Sequence, residues 1–175
     1  MQEVISQTER ESLGRPALED GHFFLSRAWI YEVIRTIQAA RTKNEKWRKM
    51  ASGFSLSLIY RITDLPQQLR AEYGDSKAAV LVRLEKGTVR KLWLGVDPPQ
   101  EKVDFTIGTS YELAQQIFQG ELNPAAAFIK GLFTLEPMSK VYRRPKFVAK
   151  SIVAGNVILD IARQVPTHYL DSISP

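Results

Sequence analysis

Two histidines and the absence of cysteine limit the chemistry that this chain of 175 residues can perform. Without cysteine there is no disulfide framework, no thiolate metal site and no cysteine nucleophile. His22 precedes two phenylalanines and His168 follows shortly after Pro166, and neither setting indicates a nucleophile paired with a base. We therefore predict surface or local-packing roles for both histidines and no metal site.

The other candidates for acid–base chemistry are a pair of carboxylates and three tyrosines. Glu101 and Asp104 stand three positions apart near the start of a predicted strand, which places them on opposite faces and favours solvated charges. Tyr60, Tyr111 and Tyr142 could act only in a geometry that the sequence does not show. Glycine-rich phosphate loops are missing as well. The sequence thus predicts a protein that is not an enzyme and that uses no cofactor.

The charge of the chain is moderately basic, with 24 Lys and Arg against 19 Asp and Glu and a net charge of +5. A surplus of this size is common in ordinary soluble proteins, so we predict no nucleic-acid partner. One basic run contains an aromatic residue, Tyr142, and consists of Lys140, Arg143, Arg144, Lys146 and Lys150. This run is either a solvated turn or a contact with a phosphate, a carboxylate head group or an anionic membrane.

The start of the chain is polar and lacks the basic and apolar regions of a secretory signal. No stretch approaches the roughly 18 apolar residues that a membrane span needs. We expect a cytoplasmic protein with a loose leader over residues 1–21 and a single domain over residues 22–175.

The apolar periodicity predicts one helix and then several strands in the first half of that domain. Apolar residues recur at helical spacing after Ser26, and the helix is expected to continue to about Met50. The period then changes to two, which predicts strands over residues 54–62, 80–84, 89–96 and 103–107. Gly87 can supply the tight turn between the second and third strands. Such a succession favours an antiparallel meander with one apolar face.

Helical signals dominate the second half. A helix capped by Ser110 is expected to end at Gly120, and Asn123 with Pro124 starts a short helix that ends at Gly131. A short strand follows, and a final helix with a wide apolar face is expected over about 146–165. The predicted fold class is α+β, with an antiparallel meander sheet of about five strands covered on one face by helices.

In residues 103–135, residues that typically start or end helices follow one another in a recognisable order. An alternating strand and a short helix lead to Gly120, then to Asn123-Pro124, Ala127-Phe128 and Gly131, and then to another strand. This segment resembles the sterol carrier protein 2 family of lipid-binding domains. The order of elements over about residues 26–165 is similar to that family too. The resemblance implies an apolar tunnel between the sheet and the helices.

In that case the tunnel would bind a fatty acid, a sterol or another lipid without any bond chemistry. The lining would come from apolar side chains on the matched segment and on the last helix, namely Phe105, Ile107, Ile117, Phe118, Phe128, Ile129, Phe133, Ile152, Ile158 and Leu159. Independently of the resemblance, the basic run makes Lys140, Arg143, Arg144 and Lys146 candidates for a transient contact with an anionic membrane. Two alternatives stay open: a module with a filled core that forms a homodimer through its last helix, or an accessory factor that presents a lipid substrate to an enzyme.

Overall fold

A computed structural model describes residues 21–170 of the chain. The helices in this range are α1 (Arg27–Lys43), α2 (Glu45–Ala51), α3 (Gln67–Tyr73), α4 (Tyr111–Gln119), α5 (Pro124–Ile129), α6 (Met138–Arg143) and α7 (Pro145–Ala162). The strands are β1 (His22–Phe23), β2 (Ser55–Thr63), β3 (Ala78–Glu85), β4 (Thr88–Gly95), β5 (Phe105–Ser110), β6 (Thr134–Glu136) and β7 (Thr167–His168).

Five strands form one mixed sheet in the order β4-β3-β2-β5-β6. The pairs β2–β3, β3–β4 and β5–β6 are antiparallel, and Gly87 adopts the positive φ of 78° in the β3–β4 hairpin. The α+β class with a five-stranded sheet is confirmed. The meander, however, covers only β2 to β4, because β5 pairs with β2 in parallel.

The connection between β4 and β5 returns the chain to the middle of the sheet. On its way Glu101 forms ion pairs with Arg83 (3.0 Å) and Lys91 (2.6 Å), which are register partners on β3 and β4. These two residues alternate with the core residues of their strands, so this connection runs over the face opposite the main helices. Glu101 is therefore paired, whereas the sequence favoured a solvated charge.

The predicted helix over residues 26–50 is interrupted at Asn44. Ser26 caps α1 as expected, since its side chain accepts a hydrogen bond from the Trp29 backbone N–H (3.1 Å). Asn44 has extended backbone geometry, and its side chain accepts a hydrogen bond from the Trp47 N–H (2.9 Å), which starts α2. The break turns the chain so that the fully buried Trp47 enters the core.

The short strands β1 and β7 pair in parallel and join the two ends of the described chain. Phe23 packs edge-on against His168, with ring centroids 6.3 Å apart. The sequence did not predict this pair, and it gives both histidines a local structural setting. Apart from Gly21, the predicted leader lies outside the described residues.

Candidate functional site

The apolar side chains between the sheet and the helices form two separate clusters. The main core joins α1, α4 and α7 to strands β2, β3 and β4, and it includes Trp29, Phe118 and Ile161. The second cluster is smaller, and its buried members are Phe54, Leu56, Phe105 and Ala154, with Leu58, Leu135, Phe147 and Val148 packed against them.

The helix-facing side of strand β2 contacts both clusters. Leu58 packs on the second cluster and Ile62 belongs to the main core. Tyr60 lies between them on the same face, because side chains alternate along a strand. Its register partner on β5 is Ile107, which follows Phe105 on that face. Among the described residues, neither Tyr60 nor Ile107 is a member of either cluster.

Tyr60 combines a central position with an uncovered surface. The residue is 36% exposed, although β2 is the middle strand of the sheet and this face lies beneath the helices. Partial burial raises the pKa of the Tyr60 hydroxyl above its usual value. The residues that the structure describes offer no hydrogen-bond partner to this hydroxyl. Tyr60 therefore keeps an exposed surface on the face of the sheet that carries the helices.

The residues that the sequence predicted as tunnel lining occupy several different environments. Phe118, Ile158 and Leu159 pack in or against the main core, and Phe105 lies in the second cluster. Half-buried positions hold four more, namely Ile107, Ile117, Phe128 and Phe133. Phe128 contacts Phe133 with ring centroids 5.7 Å apart. Ile129 is 83% exposed and Ile152 is 42% exposed, so these two lie on the outer surface.

Exposed large apolar side chains concentrate in one segment of the chain. Within residues 21–170 there are seven of them, and all except Tyr60 lie between residues 129 and 153: Ile129, Leu132, Met138, Tyr142, Ile152 and Val153. The same segment contains six Lys and Arg and one Glu, a net charge of +5 that equals the net charge of the whole chain. We call residues 129–153 the apolar–basic segment.

Within this segment, Lys140 of α6 forms a partly buried polar contact with Asp104, which directly precedes β5. The Lys140 Nζ donates to the Asp104 carboxylate at 2.8 Å and lies 5.5 Å from the centre of the Phe105 ring. Asp104 also accepts hydrogen bonds from the Ser57 backbone N–H (2.9 Å) and hydroxyl (3.0 Å). Burial alone would raise the pKa of Asp104, but these hydrogen bonds outweigh it and hold the pKa below its usual value.

Two further cations lie over the rings of the second cluster. The Arg144 guanidinium is 4.7 Å from the centre of the Phe147 ring, and the Lys150 Nζ is 5.5 Å from that of Phe54. Phe147 in turn stacks on Phe105 with centroids 6.0 Å apart. On the outer side of the second cluster, positively charged side chains therefore lie over apolar rings.

A groove of about 600 Å³ lies elsewhere, along α1 and its junction with α2. Its walls include Glu32, Arg35, Lys43 and Glu45, so its surface is polar and charged. None of the predicted lining residues belongs to this groove. It does not offer the apolar surface that a lipid chain requires.

Residues 21–170 contain no group of three His, Asp or Glu side chains that could hold a metal ion. Within that range, no helix is both long enough and apolar enough to cross a membrane.

Comparison with known proteins identifies solved structures with a similar fold. No protein-family profile matches the chain, and no curated protein sequence matches it. A conserved hypothetical protein of Thermus thermophilus, named as a candidate sterol carrier protein, superposes with a TM-score of 0.61 at 22% identity, over 88% of this chain and 97% of that one. A crystal structure of sterol carrier protein 2 gives a TM-score of 0.59 at 23% identity, over 80% of this chain and 97% of that one. The chain has the sterol carrier protein 2 fold.

The sterol carrier protein 2 fold confirms the resemblance seen in residues 103–135. Asn123 caps α5 with its side chain and Pro124 occupies the first turn, while Gly120 ends α4 at a positive φ of 82°. These residues therefore start and end the helices as the sequence predicted. The sequence analysis named Tyr60 only as a candidate for acid–base chemistry and left it out of the predicted lining, although a polar-tipped side chain at an apolar position of an alternating strand was a visible signal.

Proposed function

We propose that this protein binds an apolar ligand, such as a fatty acid, a sterol or another lipid, in an internal cavity between its sheet and its helices. The observation that carries the proposal is the uncovered surface of Tyr60 on the helix-facing side of the central strand. A solid core would cover this position, because protein interiors are packed at the density of organic crystals. A cavity at this position, between two apolar clusters, would suit an apolar ligand.

Burial of a hydrocarbon chain supplies enough free energy for such binding. A chain of sixteen carbons gains roughly 12 kcal/mol at about 0.8 kcal/mol for each buried methylene. Association costs of at least about 4 kcal/mol leave at most about 8 kcal/mol, which corresponds to a micromolar dissociation constant or a weaker one. No nucleophile, metal or redox group is needed. Carriage of the ligand and its presentation to an enzyme would both use this one binding step.

The proposal is tested by filling the space with a side chain. In Ile107→Trp the added indole would enter the gap between the clusters, so we expect the affinity for a fluorescent apolar probe to fall at least tenfold. Thr106→Trp is the matched control, since Thr106 is the adjacent residue on the opposite face of β5. Native mass spectrometry of the unmodified protein should also show a co-purifying apolar molecule. Equal affinity of both variants, or failure of the unmodified protein to bind the probe, would overturn the proposal.

We further propose that the apolar–basic segment contacts an anionic lipid bilayer. Its exposed apolar side chains can enter the interface while its cations face lipid phosphates, a combination typical of peripheral membrane binding. Each cation near an anionic surface contributes about 1 kcal/mol. Arg144 and Lys150 of this segment lie over rings of the second cluster, so the contact would bring the proposed cavity close to a source of lipid.

Vesicle co-sedimentation tests the membrane contact. Replacing Arg143, Arg144 and Lys146 together by Gln should weaken binding to phosphatidylserine-containing vesicles about 100-fold, at about 1 kcal/mol for each charge. The control replaces Lys43, Lys46 and Arg48 by Gln, which removes the same charge at the junction of α1 and α2. Equal loss in both variants, or equal binding to neutral phosphatidylcholine vesicles, contradicts the proposal. A dimer in light scattering that binds no vesicles would instead favour association of two copies through α7.

A further inference from the structure

We propose that the Tyr60 hydroxyl is the polar contact for the ligand head group, and that the cavity selects lipids ending in an uncharged oxygen over ionised carboxylates. Suitable groups are a hydroxyl or an ester carbonyl. This inference rests on the proposed function and narrows its ligand class.

The side chains that flank Tyr60 on the helix-facing side of the sheet are all apolar. Along β2 the neighbours on the same face are Leu58 and Ile62, and across the sheet they are Val80 on β3 and Ile107 on β5. All four are hydrocarbon side chains. A polar group placed in such surroundings is costly unless it finds a hydrogen-bond partner. A ligand oxygen is a partner that the described residues do not supply.

The hydroxyl stays in its neutral form at physiological pH. Burial raises its pKa further above an ordinary value of about 10, and no charged side chain of the described range is among the causes of that shift. A neutral phenol donates one hydrogen bond and also accepts one. A ligand hydroxyl can use both of these, whereas an ester carbonyl uses the donor alone.

An ionised carboxylate is poorly accommodated at the same place. Its charge would lose water and gain one neutral donor, and buried charges require a counter-charge or several hydrogen bonds. The chain does hold cations near the second cluster, where Lys140 and Lys150 lie over the rings of Phe105 and Phe54. Lys140 is already paired with Asp104. A fatty acid bound through these cations would hold its carboxylate at the second cluster, so its affinity would not depend on the Tyr60 oxygen.

Displacement of a bound fluorescent apolar probe by three twelve-carbon ligands tests this selection. The ligands are 1-dodecanol, dodecanoate and dodecane, and each is titrated into the unmodified protein, Tyr60→Phe and Thr106→Val. Tyr60→Phe removes a single oxygen, and Thr106→Val is a control because it removes a hydroxyl on the opposite face of the sheet, beside Ile107 in sequence. We expect Tyr60→Phe to weaken dodecanol binding about tenfold, the value of one hydrogen bond. Dodecane should bind all three proteins equally, and dodecanoate should bind the unmodified protein less tightly than dodecanol.

A spectroscopic signal separates a direct contact from a structural effect. Dodecanol should shift the ring carbon resonance next to the Tyr60 oxygen, while dodecane should leave it unchanged. The inference is overturned if Tyr60→Phe binds dodecanol as tightly as the unmodified protein, or if dodecanoate is the preferred ligand. Those results leave the cavity itself intact, whereas failure of the unmodified protein to bind any of the ligands would refute the proposed function instead.

Discussion

Helix α7 crosses two regions of the molecule whose packing differs. Its C-terminal half contributes Val157, Ile161 and Ala162 to the main core, where each is at most 3% exposed. Its N-terminal half covers the second cluster with Phe147 and Val148 and leaves Ile152 and Val153 on the surface. The proposed cavity lies where the two clusters separate, at Tyr60.

In the proposed function, one helix would serve both stability and binding. The main core is closed by aromatic contacts such as Phe118 with Phe24 and Trp29, at centroid distances of 5.0 and 5.1 Å. The second cluster has fewer buried members and is covered by Lys140, Arg144 and Lys150. A region with few buried contacts opens at a lower free energy than the core. A ligand would therefore enter beside the second cluster while the main core stays folded.

The largest expected effect lies in the main core. Ile161→Ala should lower the free energy of unfolding by about 2–5 kcal/mol, because it removes three buried carbons and leaves a void. Ile161 is 1% exposed, and urea denaturation followed by circular dichroism measures the change. A loss below about 1 kcal/mol would mean that the two ends of α7 do not differ as described.

A smaller effect is expected where α6 is fastened to β5. Asp104→Asn should cost about 1 kcal/mol near pH 7, since it weakens charge-assisted hydrogen bonds from Lys140 and Ser57 that are partly exposed. The folded-state pKa of Asp104 lies below its usual value, so the carboxylate stabilises the fold above about pH 4 and this contribution is lost as the pH falls through the folded pKa.

Urea titrations of both proteins at several pH values measure that contribution. The stability difference between the unmodified protein and Asp104→Asn should disappear in strong acid. Asp160→Asn provides a control, because its ion pair with Arg163 is largely exposed and should contribute little at any pH. A difference for Asp104→Asn that persists unchanged in acid would show that the charge of Asp104 does not fasten α6.

The smallest effect on stability is expected at the exposed end of α7. Ile152→Ala repeats the substitution made at Ile161 nine residues earlier in the same helix, but at a position that is 42% exposed. We expect a change within about 0.5 kcal/mol, together with a several-fold weaker affinity for anionic vesicles. Destabilisation as large as that of Ile161→Ala would place Ile152 in the core.

Local signals in the sequence predicted the elements well. Ser26 caps α1, Gly120 ends α4 and Asn123 caps α5, since each of these depends on backbone groups only a few residues away. The break at Asn44 was missed although Asn is a strong N-cap residue, because the basic residues around it suited a continuous helix.

Features that depend on residues far apart in the sequence were harder to predict. Alternation assigns side chains to faces but does not name the neighbouring strand, so the parallel pairing of β5 with β2 was not predicted. The same limit applies to the predicted lining. Phe128 and Ile129 are adjacent in one apolar segment, yet one is half-buried and the other is 83% exposed. Whether Tyr60 is covered depends on how the two clusters separate, which no local pattern encodes.

Isotope-edited NMR of a bound lipid tests the central claim most directly. In a complex with carbon-13-labelled 1-dodecanol, we predict nuclear Overhauser contacts from the ligand to the Tyr60 ring and to the methyl groups of Ile107 and Val80. Contacts confined to exposed side chains such as Ile129 and Ile152 would contradict an internal cavity, and so would the absence of any contact with Tyr60 and Ile107 at saturating ligand.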